Sequence, residues 1–256
     1  MSLTNNIKYG IFKKPLSLKK KRDFCPSKNP KLAVICIHGI ASDSTAFKNT
    51  LSYLSGTNSL KDVRFITFDL LGAGKSYSSD KLDYSLNDQL EAMHNSIAKL
   101  KLSIPVVLIG HSLGSLIAMN YADKFKKSIK RLVMVSPPLY KKEEIEHPAF
   151  KEGIKMFEKV VGSRHKGATN KKQFSSSMDG IVLNEKNINV LAKITTKTVI
   201  LYGELDEFMS PANINEVAKN NSKYISVFKT VGKHHMSRDK YHKLVPILEE
   251  VLNETV

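Results

Sequence analysis

Gly110-His111-Ser112-Leu113-Gly114 follows the apolar run Val106–Ile109 directly, and the stretch behind it, Ser115–Ala122, has helical character. A serine at the tip of a sharp strand-to-helix turn is what a nucleophilic hydroxyl needs. Small residues two positions to either side let strand and helix approach closely, and the helix N-terminus offers backbone N–H groups to developing negative charge. A serine hydroxyl alone is a poor nucleophile. An imidazole must take its proton and later return it to the leaving group, and a carboxylate must fix the tautomer of that imidazole. Chemistry of this kind uses no cofactor, and none is expected.

Other chemistries fit the residues less well. Gly72-Ala73-Gly74-Lys75-Ser76 imitates the end of a phosphate-binding loop, but Asp69 stands where the first glycine is required. The same stretch fails as a dinucleotide fingerprint because Tyr77 occupies the last glycine position. His234, His235 and His242 lack the spacing of a metal-binding helix, so no metal site is expected. Two cysteines, Cys25 and Cys36, cannot form a disulfide framework, and Cys36 sits inside an apolar run as a small hydrophobe.

The elements that must position the serine begin after Pro30. Strand-like apolar runs occur at Leu32–Ile37, Val63–Phe68, Val106–Ile109, Leu132–Val135, Thr198–Tyr202 and Tyr224–Phe228, with a further short strand expected around Ile7–Phe12. Between them apolar residues fall at helical spacing: Ala46, Phe47, Leu51 and Leu54; Leu86, Leu90, Met93, Ile97 and Leu100; then Leu116, Met119, Tyr121 and Ala122. Strands apolar on both faces and separated by helices predict an α/β fold, a doubly wound and mainly parallel sheet flanked by helices.

The alternation breaks between Pro137 and Lys197, where no strand pattern appears. Pro148 is suited to start a helix with an apolar stripe of Ala149, Phe150, Ile154, Phe157, Val160 and Val161, which Gly162 would terminate. Ile188, Val190, Leu191 and Ile194 suggest another. The expected organisation is a core of residues 1–136 and 198–256 carrying a helical cap insertion at 137–197. Met156, Phe157, Met178, Met209 and Met236 could line an apolar acyl pocket or simply fill the core.

A formal net charge of +16 comes from 40 basic residues, 35 of them Lys and 5 Arg, against 24 acidic ones. Base-reading surfaces lean on the planar fork of Arg, and the lysine runs lack interleaved aromatics, so nucleic acid is not expected as a primary partner. The Lys13–Arg22 stretch predicts weak, salt-sensitive contact with anionic membrane surfaces. No apolar stretch has the length of a spanning helix, and Met1–Gly10 lacks the apolar region of a secretory signal; the expectation is a cytoplasmic protein.

Taken together, these residues resemble the α/β-hydrolase fold family. Beyond the turn at Ser112, His38-Gly39 is similar to the family's oxyanion-loop motif. Asp69 to Ser76 is similar to its D-x-x-G-x-G-x-S turn. Gly203-Glu204-Leu205-Asp206 matches the loop carrying the family's acid, and Gly232-Lys233-His234-His235 resembles its G-x-x-H loop. The resemblance implies a catalytic Ser112, Asp206 and His235, with Glu204 and His234 as the adjacent alternatives. It also implies an oxyanion hole from the backbone N–H groups of Leu113 and Ile40, supported by His38, Gly39, Gly110, His111 and Gly114. Two departures stand out: only one glycine follows His38, and Ser115 takes a position where relatives often carry glycine. The implied activity is that of a serine hydrolase, an esterase or lipase-like enzyme cleaving a carboxylic ester or related small acyl substrate. Thioesterase, carbon–carbon bond hydrolase, lactonase, acyltransferase or a non-catalytic receptor using the same cavity are the alternatives.

Overall fold

Side chains alternate across a strand, so a segment that is apolar at every position must be covered on both faces. In the computed structural model, which describes residues 15–164, 170–235 and 241–256, the apolar runs meet that condition. Strand β2 (Leu32–Ile37) is buried throughout. Its Ala33, Ile35 and Ile37 enter one hydrophobic core, and Leu32, Val34 and Cys36 enter another on the opposite face. Strands β3 (Val63–Asp69), β4 (Val106–His111), β5 (Arg131–Val135), β6 (Lys197–Gly203) and β7 (Ile225–Thr230) extend the sheet in the order β3-β2-β4-β5-β6-β7, all parallel. The expected α/β class and doubly wound sheet are therefore what the chain adopts.

An antiparallel strand, β1 (Lys19–Phe24), adds to β3 at the edge. Its residues Lys19 to Arg22 belong to the basic stretch from which the sequence predicts no strand. Charged residues on an edge strand leave it no apolar alternation to read, and they also discourage pairing with other chains. Asp23 accepts two hydrogen bonds from the Arg64 guanidinium, at 2.7 and 2.8 Å, which ties the edge to its neighbour. The strand expected around Ile7–Phe12 lies outside the described residues.

Helices cover both faces. Helix α1 (Lys48–Gly56) and the C-terminal helix α9 (Tyr241–Asn253) pack one core through Leu51, Leu54, Leu244 and Leu248. Helices α2 (Leu86–Lys99), α3 (Leu113–Lys124) and α8 (Pro211–Asn220) pack the other. Ser85 caps α2 in a reciprocal pair of hydrogen bonds with Asp88, which fixes where that helix starts. Between β5 and β6 the described chain is helical: α4 (Lys142–Glu146), α5 (Pro148–Arg164), α6 (Lys171–Ser177) running into a π-helical turn at Met178–Val182, and α7 (Lys186–Ala192). Helix α5 starts at Pro148 as expected but runs past Gly162 to Arg164, so that glycine does not terminate it. Glycine inside a helix costs only about 1 kcal/mol, which neighbouring contacts readily offset.

The chain winds from β2 outward to β3 and then back across to β4. Strand order thus reverses beside β2, and in such sheets the crevice at the carboxyl ends of the strands is where ligands bind. Gly39 follows β2 and Ser112 follows β4, one on each side of that crevice.

Candidate active site

Ser112 holds φ 51° and ψ −123°, a backbone geometry that non-glycine residues rarely take. Its surroundings enforce it. The Ser112 N–H donates to the Val135 carbonyl at 2.9 Å, and the Ser115 N–H donates to the Ser112 carbonyl at 2.9 Å as α3 begins. A side chain on Gly110 would overlap main-chain atoms of Gly114 and Ser115, and one on Gly114 would overlap the carbonyls of Ile37 and His38. Both glycines are required because β4, α3 and β2 meet there with no room for a methyl group. Ser115 fits: its hydroxyl donates to the Ser112 carbonyl, securing the first turn of the helix.

The imidazole that reaches Ser112 belongs to His234. Its Nε2 lies 3.0 Å from Ser112 Oγ, and its Nδ1 lies 2.9 and 3.1 Å from the two carboxylate oxygens of Asp206. A carboxylate only accepts, so Nδ1 carries the proton and Nε2 is left to accept from the serine hydroxyl. Ser112, Asp206 and His234 are all buried. The expectation of His235 is corrected here: His235 is exposed, and its ring touches those of His111 and His234 instead. The cause lies in the loop. The Glu204 and Leu205 N–H groups donate to the carbonyls of Thr230 and Gly232 at 2.9 and 3.0 Å, which holds the end of β7 against the Asp206 loop. Gly203 permits that approach, since a side chain there would overlap Gly232. With Gly232 pinned so close, two further residues bring an imidazole to Asp206.

Asp206 is the carboxylate that meets His234, and Glu204 is an exposed residue of the same turn. Burial pushes the Asp206 carboxyl upward, but the hydrogen bonds and charge of His234, with the Phe208 N–H at 3.1 Å, more than offset it and hold the group below the usual carboxylate range. The result is a carboxylate that stays ionised behind the imidazole.

His111 and His38 support the loops around the serine. His111 donates through Nε2 to the His234 carbonyl at 2.8 Å, and a side chain on Gly39 would press against its Nδ1. Burial, reinforced by the His234 imidazole, lowers the His111 pKa to about 3, so the ring is neutral. His38 donates from Nδ1 to the Gly39 carbonyl at 2.8 Å and accepts the Leu70 N–H on Nε2 at 2.9 Å. Burial lowers its pKa as well. Asp69 completes the frame, accepting from the Ser44 and Lys75 N–H groups at 2.9 and 3.0 Å. The glycine-rich turn from Gly72 to Ser76 therefore wraps a carboxylate of its own chain, and a side chain on Gly74 would strike that carboxylate.

A small cavity of about 70 Å³ opens beside Ser112 and His234. Gly39, Ile40 and Ala41 form one wall, while Phe157 and Val161 from α5 close the other side. Leu113 is the first residue of α3, directly after the serine. Of the residues offered as pocket lining, Phe157 lies in this wall, Met178 and Met209 are buried in the core, and Met156 is exposed; Met236 lies outside the described residues. Sequence reading missed Phe208. Its ring stands edge-on to His234 at 5.0 Å and packs on Phe157 at 4.9 Å, and its carbonyl accepts from the Tyr140 hydroxyl at 2.6 Å. Its only signal in the sequence is its place two residues after Asp206.

A parallel sheet bearing a strained serine between β4 and α3, with histidine and aspartate on the loops after β7 and β6, defines a protein of the α/β-hydrolase type. The family model for the α/β hydrolase fold matches residues 33–157, and the chain has that fold. It is 34% identical over 151 residues to "Probable lysophospholipase BODYGUARD 2" of Arabidopsis thaliana; the match takes in 57% of this chain and 30% of that relative's length. An esterase from Exiguobacterium antarcticum has a TM-score of 0.71 at 19% identity, covering 92% of this chain and 96% of that one. A monoacylglycerol lipase of Paleococcus ferrophilus has a TM-score of 0.70 at 18% identity, covering 94% and 100%. No helix among the described residues is long and apolar enough to cross a membrane.

Proposed function

We propose that the protein is a serine hydrolase of carboxylic esters working through an acyl-enzyme intermediate. The observation that carries this reading is the hydrogen-bonded chain from Ser112 Oγ through His234 to Asp206 at the mouth of the cavity. His234 Nε2 takes the hydroxyl proton as Ser112 attacks the carbonyl carbon, and Asp206 stabilises the imidazolium that forms. The N–H groups of Leu113 and Ile40 receive the oxyanion. His234 then protonates the leaving alcohol. Water, deprotonated by the same imidazole, releases the acid and restores the serine.

The names borne by the similar proteins, a lysophospholipase, an esterase and a monoacylglycerol lipase, all denote cleavage of carboxylic esters and support that substrate class. The helices from Lys142 to Ala192 serve as the cap of the site in this reading, since Phe157 and Val161 close the cavity. A cavity of about 70 Å³ takes a short acyl group with the cap in this position. Turnover of a p-nitrophenyl ester of a short acid, abolished by Ser112→Ala, tests the proposal. Folded protein that hydrolyses neither short nor long esters would contradict it.

A further inference from the structure

We propose a second ligand site, at the opposite end of the sheet from Ser112, that binds an amphiphilic anion: an apolar body ending in a phosphate or carboxylate. A groove of about 710 Å³ opens there, at the amino ends of β4, β5 and β6. It is separated from Ser112 by the length of β4, about 17 Å at about 3.3 Å per residue. Its volume is within the range of small-molecule sites, roughly 300–1,000 Å³.

Two features of the lining set the ligand class. The floor is apolar, formed by partly buried Ile97, Leu102 and Ile104 with buried Val106 and Ile129. The rim is cationic. Lys101, Lys126, Lys127, Lys130 and Lys197 all line the groove, and none of its lining residues is Asp or Glu. Lys126 is paired with Asp123 at 3.2 Å, and Lys197 donates to the Lys223 carbonyl at 2.6 Å. Lys101, Lys127 and Lys130 have no carboxylate partner among the described residues. Three ammonium groups without a carboxylate partner among the described residues, set around an apolar floor, repel cations and favour an anionic head over a neutral one.

The groove also lies beyond the C-terminal ends of α2 and α3, which end at Lys99 and Lys124. Backbone carbonyls, not N–H groups, face outward at such ends, so the positive charge that holds the anion must come from lysine side chains. Binding is accordingly sensitive to salt.

Titration calorimetry of the full chain with monomeric dodecyl phosphate tests the site. We expect saturable binding that weakens by about tenfold or more in the triple variant Lys101→Gln, Lys127→Gln, Lys130→Gln. On the unaltered chain it should weaken as salt rises from about 0.01 M to about 1 M, over which the Debye length falls from about 30 Å to about 3 Å. Neither inorganic phosphate nor dodecyltrimethylammonium should bind comparably. Equal affinity for the cationic detergent, affinity unchanged by salt, or an unaltered affinity in the folded triple variant would overturn the proposal. So would binding to phosphatidylglycerol vesicles without binding to the monomer, since that result assigns the lysines to a membrane surface. Because the site does not use Ser112, dodecyl phosphate should bind Ser112→Ala protein equally well, which separates this test from that of the hydrolase reading.

Discussion

The ring of His111 donates to the main-chain carbonyl of His234 across 2.8 Å, so the residue before the serine fixes the backbone of the imidazole that meets the serine. The two loops are far apart in sequence, and this buried bond joins them beside the contact of His234 Nε2 with Ser112 Oγ. Replacing His111 with Leu leaves the His234 carbonyl unsatisfied in a buried setting, at a cost of about 1–3 kcal/mol. We expect a lower melting temperature and a fall in kcat larger than any change in KM. Gln at 111 can still donate and should recover part of both.

Gly114→Ala tests the close packing of the turn. The added methyl group would overlap the carbonyls of Ile37 and His38, which are main-chain atoms at the end of a central strand and cannot swing aside. Overpacking of this kind costs about 1–3 kcal/mol or more. Chemical denaturation should show the loss, and ester turnover should fall further than stability does, because Leu113 moves with the helix.

Acid should destabilise the protein in two stages. His111 and His38 are buried and neutral, with pKa values depressed below the ordinary 6.5, to about 3 in the case of His111. The unfolded chain therefore binds more protons than the folded one below about 6.5, and stability falls from that pH downward. Asp206 is depressed below the ordinary 3.8, so its contribution is present above that value and is lost as the pH falls through its lower folded value. Melting temperature measured against pH should drop from about pH 6.5. In His111→Gln the slope between about pH 6.5 and about pH 3 should be shallower, and a profile parallel to wild type would contradict this assignment.

Phe157 and Val161 close the cavity from α5, so truncation at 157 should change which esters fit. We expect Phe157→Ala to raise kcat/KM for longer acyl chains relative to acetyl esters. The loss of packing on Phe208 and Phe174 should lower stability by about 3 kcal/mol or less, since Phe157 is only partly buried. An unchanged chain-length profile would show that this ring does not bound the acyl site.

Much of this architecture could be read from residue order because a parallel sheet buries both faces of its strands, and Leu32–Ile37 or Val106–Ile109 then appear as unbroken apolar runs. The turn at Ser112 was legible for a related reason: Gly110 and Gly114 are demanded by contacts within a few residues or with the adjacent strand. Strand β1 was not, since Lys19 to Asp23 carry no alternation and its place depends on pairing with β3. The choice between His234 and His235 was equally hidden. Local spacing after Gly232 favoured His235, whereas hydrogen bonds from Glu204 and Leu205, nearly thirty residues earlier, decide which ring faces Asp206. Phe208 and Val161 become part of the site only through tertiary packing, which no short pattern announces.

The most direct measurement is labelling by a fluorophosphonate, with the modified peptide located by mass spectrometry, in wild type and in the two single histidine variants. An activated serine should react at Ser112 in wild type and in His235→Ala, with ester turnover in the latter within a few-fold of normal. In His234→Ala both should fall by about a thousandfold or more, the usual scale for loss of the general base. Labelling that survives removal of His234 but vanishes with His235, or no labelling of folded wild-type protein, would contradict the claim that His234 activates Ser112.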